Sequence, residues 1–187
     1  MSATSWIDVQ PVKGSNGGTI SFVWTPPAEA FPVAGQTFEI LPGNAARVSL
    51  RGEDGRIEAR VDGLIRVRYP CDRCLEPAEE RIPVHYRQRF VTPEVFEQMP
   101  APEREGEEDG VTCWPYTGSH IDLGEGLRQN LLLAAPPKHL CREDCLGLCP
   151  VCGRNRNLEP CACEPEPVDP RLAALRELLK EGDDESR

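Results

Sequence analysis

The sequence lacks any hydrophobic run long enough to cross a membrane. Its longest uninterrupted apolar run is residues 131–135, whereas a spanning helix needs about 20 apolar residues. The residues after Met1 have neither the basic start nor the apolar centre of a secretory signal, so we expect a cytoplasmic protein without membrane contact. Aromatic residues are scarce at 6%, while 19 prolines and 16 glycines interrupt the chain. This composition argues against a helical bundle and favours short strands joined by turns.

Positive charge and catalytic motifs are also scarce. Against 31 acidic residues stand 21 lysines and arginines, which gives a formal net charge of −10. This balance excludes a non-specific nucleic-acid coat protein, although a local basic face can still bind RNA. The chain has no glycine-rich phosphate loop, His-Glu-x-x-His or Gly-x-Ser-x-Gly, and His85 falls in an alternating run where a packed or surface role is expected. We therefore predict a protein that is not an enzyme and has no catalytic residues.

Cysteine, by contrast, is abundant. Of the nine cysteines, all but Cys113 fall into close pairs, which are Cys71 with Cys74, Cys141 with Cys145, Cys149 with Cys152, and Cys161 with Cys163. Thiols stay reduced in the cytoplasm, and two sets of four thiolates are what two tetrahedral zinc sites require. We predict two structural Zn²⁺ ions per chain, since four cysteines at each ion leave no open position for a catalytic water.

The eight cysteines can be divided between two sites in two ways. Cys149, Cys152, Cys161 and Cys163 lie close together in the chain and can form a local site at little cost in loop entropy. This leaves Cys71, Cys74, Cys141 and Cys145 to link the strand region to the C-terminal segment. The alternative is a ribbon in which Cys71 and Cys74 share an ion with Cys149 and Cys152, and His139 could replace a ligand. We favour the first division.

The remaining pattern predicts an α+β fold, namely a small antiparallel β-sheet or partly closed barrel, followed by a cysteine-rich zinc segment and short helices. Residues 1–92 are a β-rich region, with several alternating runs typical of strands and the first zinc knuckle at Cys71 and Cys74. Residues 93–120 are an acidic loop. Residues 121–180 hold a helix over residues 122–134, the cysteine cluster and a C-terminal helix over residues 169–180. We expect one compact domain overall.

Arginines outnumber acidic residues between positions 47 and 92. In one predicted strand Arg66 and Arg68 share a face opposite Ile65 and Val67, and the same alternation puts two more arginines on one face further along. Other arginines flank the cysteine knuckles, where guanidinium groups suit phosphates. An ordinary solvated sheet face is the alternative interpretation. The candidate RNA-binding residues are Arg66, Arg68, Arg73, Arg87, Arg89, Arg154 and Arg156.

Two cysteine signatures resemble those of the YceD family, the large ribosomal RNA subunit accumulation proteins. The first runs from Gly63-Leu64-Ile65-Arg66-Val67 to Cys71-Asp72-Arg73-Cys74-Leu75-Glu76-Pro77. The second includes Leu140-Cys141-Arg142-Glu143-Asp144-Cys145, Cys149-Pro150-Val151-Cys152-Gly153, Asn155-Arg156-Asn157 and Cys161-Ala162-Cys163. The resemblance spans about residues 40 to 180. It implies a bacterial or plastid protein that is needed for accumulation of 23S rRNA, binds metal and RNA, and has no assigned catalysis.

Three functional hypotheses follow. The first is a zinc-stabilised, non-catalytic ribosome biogenesis factor that binds the large-subunit rRNA precursor or ribosome-assembly proteins. The second is an acidic adaptor that binds ribosomal or rRNA-processing proteins without touching RNA. The third is an RNA-acting enzyme, which would need an open metal position or an activated nucleophile. We favour the first.

Overall fold

The computed structural model describes residues 4–33, 35–107 and 109–164. The C-terminal helix predicted over residues 169–180 lies outside the described residues. Among these residues, no helix combines the length and hydrophobicity that a membrane span requires. In chain order, the elements are β1 (Trp6–Asp8), β2 (Thr19–Trp24), β3 (Ala30–Val33), β4 (Gln36–Ile40), β5 (Ala46–Glu53), β6 (Arg56–Pro70), β7 (Pro77–Val91), α1 (Pro93–Gln98), α2 (Ala101–Glu105), β8 (Thr112–Pro115), β9 (His120–Asp122) and α3 (Gly124–Ala134).

The main sheet has seven strands and is almost entirely antiparallel. Strands β2, β5, β6, β4 and β3 are neighbours in that order, β7 pairs with β6, and β8 adds to β7 as the one parallel pair in this sheet. Strands β1 and β9 form a separate antiparallel ribbon. The sheet does not close into a barrel. The predicted α+β fold with a small antiparallel sheet is thereby confirmed.

The strands form because apolar and polar residues alternate along them. In β6 the odd-numbered Ile57, Val61, Ile65 and Val67 are buried, whereas the even-numbered side chains point to the opposite, more exposed face. The same alternation runs along β7, so the two strands present matching inner and outer faces. We call the more exposed one the outer face. The inner face forms the core together with the buried leucines of α3.

Helix α3 begins two residues later than the sequence predicts. The Oδ1 atom of Asp122 accepts a hydrogen bond from the backbone N–H of Gly124 at 2.8 Å, so this residue binds the first turn. Glu125 binds Arg128 at 2.7 Å. The helix contacts β7, and a side chain at Gly126 would collide with the buried Gln88.

Part of the predicted acidic loop, residues 93–120, is regular. It contains α1, α2 and β8, and β9 begins at its end. Prolines in the first turns of α1 and α2 suit helix starts, and Gly106 ends α2 in the left-handed conformation at φ 74°. Asp109 from this segment forms an ion pair with Arg89 at 2.6 Å. The acidic segment is thus anchored to the sheet in places.

The chain divides into two compact units. The first comprises residues up to 72 and residues 76–141, and contains all the strands and helices named above. The second comprises residues 73–75 and the residues from 142 onward. In the described part of the second unit, a β-bridge pairs Leu148 with Asn155 and makes a small hairpin around one cysteine knuckle.

Candidate metal centres and arginine face

The described cysteines other than Cys113 gather into two groups. One contains Cys71, Cys74, Cys141 and Cys145, and the other contains Cys149, Cys152, Cys161 and Cys163. Within each group the sulfurs all lie within 4.8 Å of one another. This is the division that the sequence favours, and the ribbon alternative does not form. Cys113 packs instead with Val91 and Met99, where burial raises the pKa of its thiol.

The first knuckle directly follows β6, as expected of a zinc knuckle. The backbone N–H of Cys71 donates to the carbonyl of Glu76 at 2.9 Å and closes the turn. Leu75 adopts the left-handed conformation at φ 63°, which costs a non-glycine residue roughly 1–2 kcal/mol. The second knuckle has Gly153 at the equivalent position, at φ 72°, where glycine adopts a positive φ without strain. Both knuckles therefore need a left-handed residue directly after their second cysteine.

Asp72 and His139 fasten the chain beside the first knuckle. The Asp72 carboxylate accepts the backbone N–H of His139 at 2.7 Å, and this bond contributes most to lowering the pKa of Asp72. The backbone N–H of Asp72 donates in return to the His139 carbonyl. The imidazole packs against Phe38 and Tyr69, with ring centroids 4.8 and 5.0 Å away. His139 is therefore an aromatic packing residue here and belongs to neither cysteine group.

In the second cysteine group, the backbone of the knuckle turn favours the thiolate form of one cysteine. The backbone N–H groups of Cys152 and Val151 donate to the sulfur of Cys149 and lower the pKa of this thiol to about 6. The pKa of Cys163 is raised to about 12, because its thiol is hydrogen-bonded to Cys152 and lies beside ionising neighbours. Sulfurs this close do not all ionise unless a cation offsets their charge.

Asn157 supports the first cysteine group from outside it. Its side-chain Nδ2 donates to the sulfur of Cys145 at 3.2 Å, and its Oδ1 accepts from the backbone N–H of Leu146 at 2.8 Å. Asn155 Oδ1 accepts from both the backbone and the side chain of Asn157. The sequence marks this Asn-x-Asn segment only as a loop, although its position before a cysteine pair is the signal that could have revealed it.

Both groups fit a metal ion by their chemistry. Four thiolates around one ion are a donor set compatible with zinc, whose bonds to sulfur are about 2.3 Å long. Sulfurs separated by no more than 4.8 Å meet this requirement. Hydrogen bonds to the sulfurs, from the knuckle N–H groups and from Asn157, are the outer contacts that orient metal ligands. Two metal ions could therefore be held.

The outer face of the sheet carries rows of arginines. Antiparallel pairing places Arg60 directly opposite Arg87, and Arg66 directly opposite Arg81. Like charges directly opposite each other destabilise a sheet. The sequence predicts Arg66, Arg68, Arg87 and Arg89 on this face, and the burial pattern agrees. The sequence does not provide the strand register. It therefore could not predict that Arg87 lies opposite Arg60, or that Arg66 lies opposite Arg81.

The predicted arginines differ in whether an acid neutralises them. Arg68 lies between Glu79 at 2.7 Å and Glu39 at 3.6 Å, and Arg89 is paired with Asp109. Of the arginines in the two cross-strand pairs, Arg60 forms an ion pair with Asp62 at 3.2 Å. The other three form no ion pair with a described carboxylate. Arg66 donates to the carbonyl of Pro42, and Arg87 to that of Asp109. The arginines with unmatched charge are therefore Arg66, Arg81 and Arg87.

The other candidate arginines lie in the second unit. Arg73 donates to the carbonyl of Cys145 at 2.9 Å, so it has a structural bond within the first cysteine group's surroundings. Arg154 and Arg156 are exposed on either side of Asn155, in the small hairpin. Their backbone groups bond within this unit, to Cys149 and Gly147. Their guanidinium groups make no described ion pair.

A polar groove adjoins the Arg60–Arg87 pair. It has a volume of about 530 Å³, and its walls include Arg60, His85, Arg87, Gln129 and Asn130. His85 is exposed and lies 3.0 Å from Asp62, whose pKa is lowered mainly by this hydrogen bond. Guanidinium and amide groups together can bind the phosphates and base edges of a nucleic acid.

Comparisons with known proteins agree with the cysteine geometry. A family model described as "Large ribosomal RNA subunit accumulation protein YceD" matches residues 59–179, which include both cysteine groups. An uncharacterized protein of Mycobacterium tuberculosis is 36% identical over 113 residues, which are 58% of this chain and 49% of that protein. The chain thus spans about half the length of this curated relative.

Two further relatives are more distant. "Large ribosomal RNA subunit accumulation protein YCED homolog 1, chloroplastic" of Zea mays is 26% identical over 163 residues, or 74% of this chain and 55% of that protein. An uncharacterized protein of Mycobacterium leprae is 27% identical over 174 residues, or 92% of this chain and 76% of that protein. No solved structure matches the chain significantly.

Proposed function

Because the chain belongs to the YceD family of large ribosomal RNA subunit accumulation proteins, we propose that it supports the accumulation of large-subunit rRNA as a non-catalytic factor that binds this RNA. The family membership confirms the resemblance read from the two cysteine signatures. The observation that carries the RNA contact is the pair of like-charged cross-strand contacts, Arg60 with Arg87 and Arg66 with Arg81.

Zinc has a structural role in this proposal. Cys71, Cys74, Cys141 and Cys145 would hold one Zn²⁺, and Cys149, Cys152, Cys161 and Cys163 a second. Full thiolate coordination stabilises a fold and leaves no position at which a metal-bound water could react. Reduced thiolates require a reducing compartment, which favours the cytoplasm for this chain. The proposed protein is accordingly not an enzyme.

The arginine face supplies the RNA contact. Opposed arginines repel one another on the free protein, and phosphates placed between them remove this cost while releasing condensed counterions. Such a face can serve an acidic protein, because the exposed charge along β6 and β7 is locally positive despite the net charge of −10. In the groove, the amide N–H groups of Gln129 and Asn130 already bind Glu125 and the Gly126 carbonyl, so it is their side-chain oxygens that would accept from a base edge.

The adaptor hypothesis has less support from the contacts. It relies on free acids in residues 93–120, yet Asp109 is paired with Arg89, and Glu103 with Arg56 at 3.4 Å. These acids neutralise arginines of the chain's own sheet and are not fully available to a basic partner. The RNA-acting enzyme would need an open ligand position, which a metal ion held by four cysteines would not leave.

The test is the salt dependence of binding to large-subunit rRNA fragments. Each phosphate contact on a single strand contributes about −0.7 to the slope of log affinity against log salt. The double variant Arg66→Gln with Arg81→Gln should weaken binding and flatten this slope by about 1.4. The double variant Arg60→Gln with Arg87→Gln should flatten it by about 0.7, because Arg60 is already paired with Asp62. The matched control is Arg51→Gln with Arg68→Gln, because both arginines are already paired with acids. The control should leave the slope nearly unchanged.

The same variants should be tested in cells. Chains with either arginine pair replaced should fail to restore the ratio of large- to small-subunit rRNA after depletion of the native protein, whereas the control should restore it. Equal slopes for all variants, or salt-dependent binding to ribosomal proteins with no binding to RNA, would reject the RNA contact in favour of the adaptor.

A further inference from the structure

The first unit contains an apolar cavity that the arginine face does not use. It has a volume of about 530 Å³ and is formed where the β1–β9 ribbon, α1 and β8 converge. Five aromatic side chains line it, and three of them, Trp6, Phe96 and Trp114, come from three different elements. Trp6 is 58% exposed although it is large and apolar. An exposed aromatic residue at the mouth of a cavity is typical of a binding site.

The rim of this cavity is negatively charged. Glu97, Asp122 and Glu125 line it, and His120 is the basic side chain among its lining residues. Glu125 is neutralised by Arg128, which lies 2.7 Å away. Glu97 and Asp122 line the cavity and form no ion pair with any residue that the structure describes, although the Asp122 carboxylate also accepts the backbone N–H of Gly124.

Aromatic rings combined with carboxylates select for cations. The ring faces carry negative potential and attract ammonium and guanidinium groups within about 6 Å. Phe96 already takes part in one such contact on the protein itself, since the guanidinium carbon of Arg104 lies 5.4 Å from its ring centroid. A nucleobase could also stack on these rings, but its phosphates would be repelled by Glu97 and Asp122. The chemistry of the cavity therefore favours a basic peptide over RNA.

We propose that this cavity binds an arginine or lysine side chain from a basic segment of a partner protein. The aromatic rings would contact the cation and its aliphatic stem, and Glu97 and Asp122 would form ion pairs at the rim. The site uses none of the arginines of the outer face. Its occupation is thus independent of RNA binding, and the full chain could hold RNA and a basic protein segment at once.

The experiment measures binding of a fluorescently labelled peptide of alternating glycine and arginine to the full metal-loaded chain by anisotropy. Trp6→Ala should weaken the affinity about three- to thirty-fold, the range expected from loss of a cation–π contact. The double variant Glu97→Gln with Asp122→Asn keeps the shape of the rim, and should weaken binding and reduce its dependence on salt. The matched control is Glu105→Gln, an exposed carboxylate of α2 that lies outside the cavity lining.

Three outcomes would overturn the proposal. The native chain could fail to bind the peptide at low salt, or the cavity variants and Glu105→Gln could bind it equally well. A single-stranded RNA of matched length could also bind in its place and lose its binding in Trp6→Ala. Replacing Arg60 and Arg87 by glutamine should leave peptide affinity unchanged, which separates this site from the proposed RNA contact.

Discussion

The side-chain amide of Asn157 donates a hydrogen bond to the sulfur of Cys145 over 3.2 Å. Its orientation is fixed independently, because Oδ1 accepts from the backbone N–H of Leu146, which can only donate. Arg142 donates to the same oxygen at 2.7 Å. The amide therefore has no freedom to turn its oxygen toward the sulfur, and it favours the thiolate form that binds metal.

Replacing Asn157 by alanine should weaken metal binding at the first cysteine group about 10- to 100-fold, the usual effect of removing an outer-contact residue. Competition with a chromophoric zinc chelator measures this change. The matched control is Asn130→Ala, which removes an amide that donates to the carbonyl of Gly126 in α3. If both variants released metal equally, the contact with Cys145 would have no bearing on metal affinity.

The purified, reduced protein should contain two zinc ions per chain, each bound by four sulfurs. Elemental analysis gives the content, and X-ray absorption gives the coordination. Removal of the metal by a strong chelator should lower the melting temperature markedly, because metal binding and folding are linked. Acid should release the metal too, since protons compete with it for the thiolates. A single metal, or none, would contradict this prediction.

The substitution Cys71→Ser should destabilise a larger part of the protein than Cys163→Ser. Cys71 is completely buried at the end of β6 and joins cysteines that are far apart in the chain, whereas Cys163 is half-buried and closes a local group. Cys71→Ser should therefore lower the melting temperature of the strand region, while Cys163→Ser should reduce hydrogen-exchange protection mainly within residues 142–164. Equal global effects would argue against this division of the cysteines.

Replacing Arg81 by glutamine should stabilise the protein while weakening RNA binding. Arg81 lies opposite Arg66, and relieving this repulsion should raise the free energy of unfolding by about 0.2–1 kcal/mol at low salt. The gain should disappear at high salt, where the charges are screened. Urea denaturation at two salt concentrations provides the measurement. Arg68→Gln is the control, because it removes contacts with Glu39 and Glu79 and should give no gain.

Asp109→Asn should strengthen RNA binding. Arg89 holds the pKa of Asp109 low, so the carboxylate stays ionised at neutral pH and neutralises this arginine. Releasing Arg89 adds one available phosphate contact and should make the salt slope steeper by about 0.7. The control is Asp144→Asn, an exposed acid of the second unit with a weak 3.4 Å contact to Arg142. Equal effects of both substitutions would indicate a general charge effect rather than a freed arginine.

The cysteine groups could be predicted because close pairs in a chain limit which sulfurs can meet, and the strands because their apolar residues alternate. The contacts around the cysteine groups and along the arginine face could not be predicted, because they join residues that only the folded chain brings together. Asn157 reaches Cys145 across a hairpin, and Arg81 faces Arg66 only through the register of two strands. Pairwise contacts of this kind leave no periodic signal in the sequence.

The acidic segment, residues 93–120, is more regular than its composition suggests. Charge and proline content predict a loop, yet Pro93 stands at a helix start and Gly106 ends the next helix. The cavity beside α1 could not be predicted for a related reason. Trp6, Phe96 and Trp114 lie far apart in the chain, and only the pairing of β1 with β9 and of β8 with β7 brings their elements together.

The first knuckle is also the turn that joins β6 to β7. These strands pair without interruption from Pro70 with Pro77 to Ile57 with Phe90. A slip of one residue would turn every outward arginine of one strand into the core and every buried valine toward water. An ion bound at Cys71 and Cys74 would fix this turn, and with it the register in which the hydrogen bonds between β6 and β7 form during folding. Loss of this ion would then weaken the proposed RNA contact by misaligning an arginine surface that has no contact with the metal.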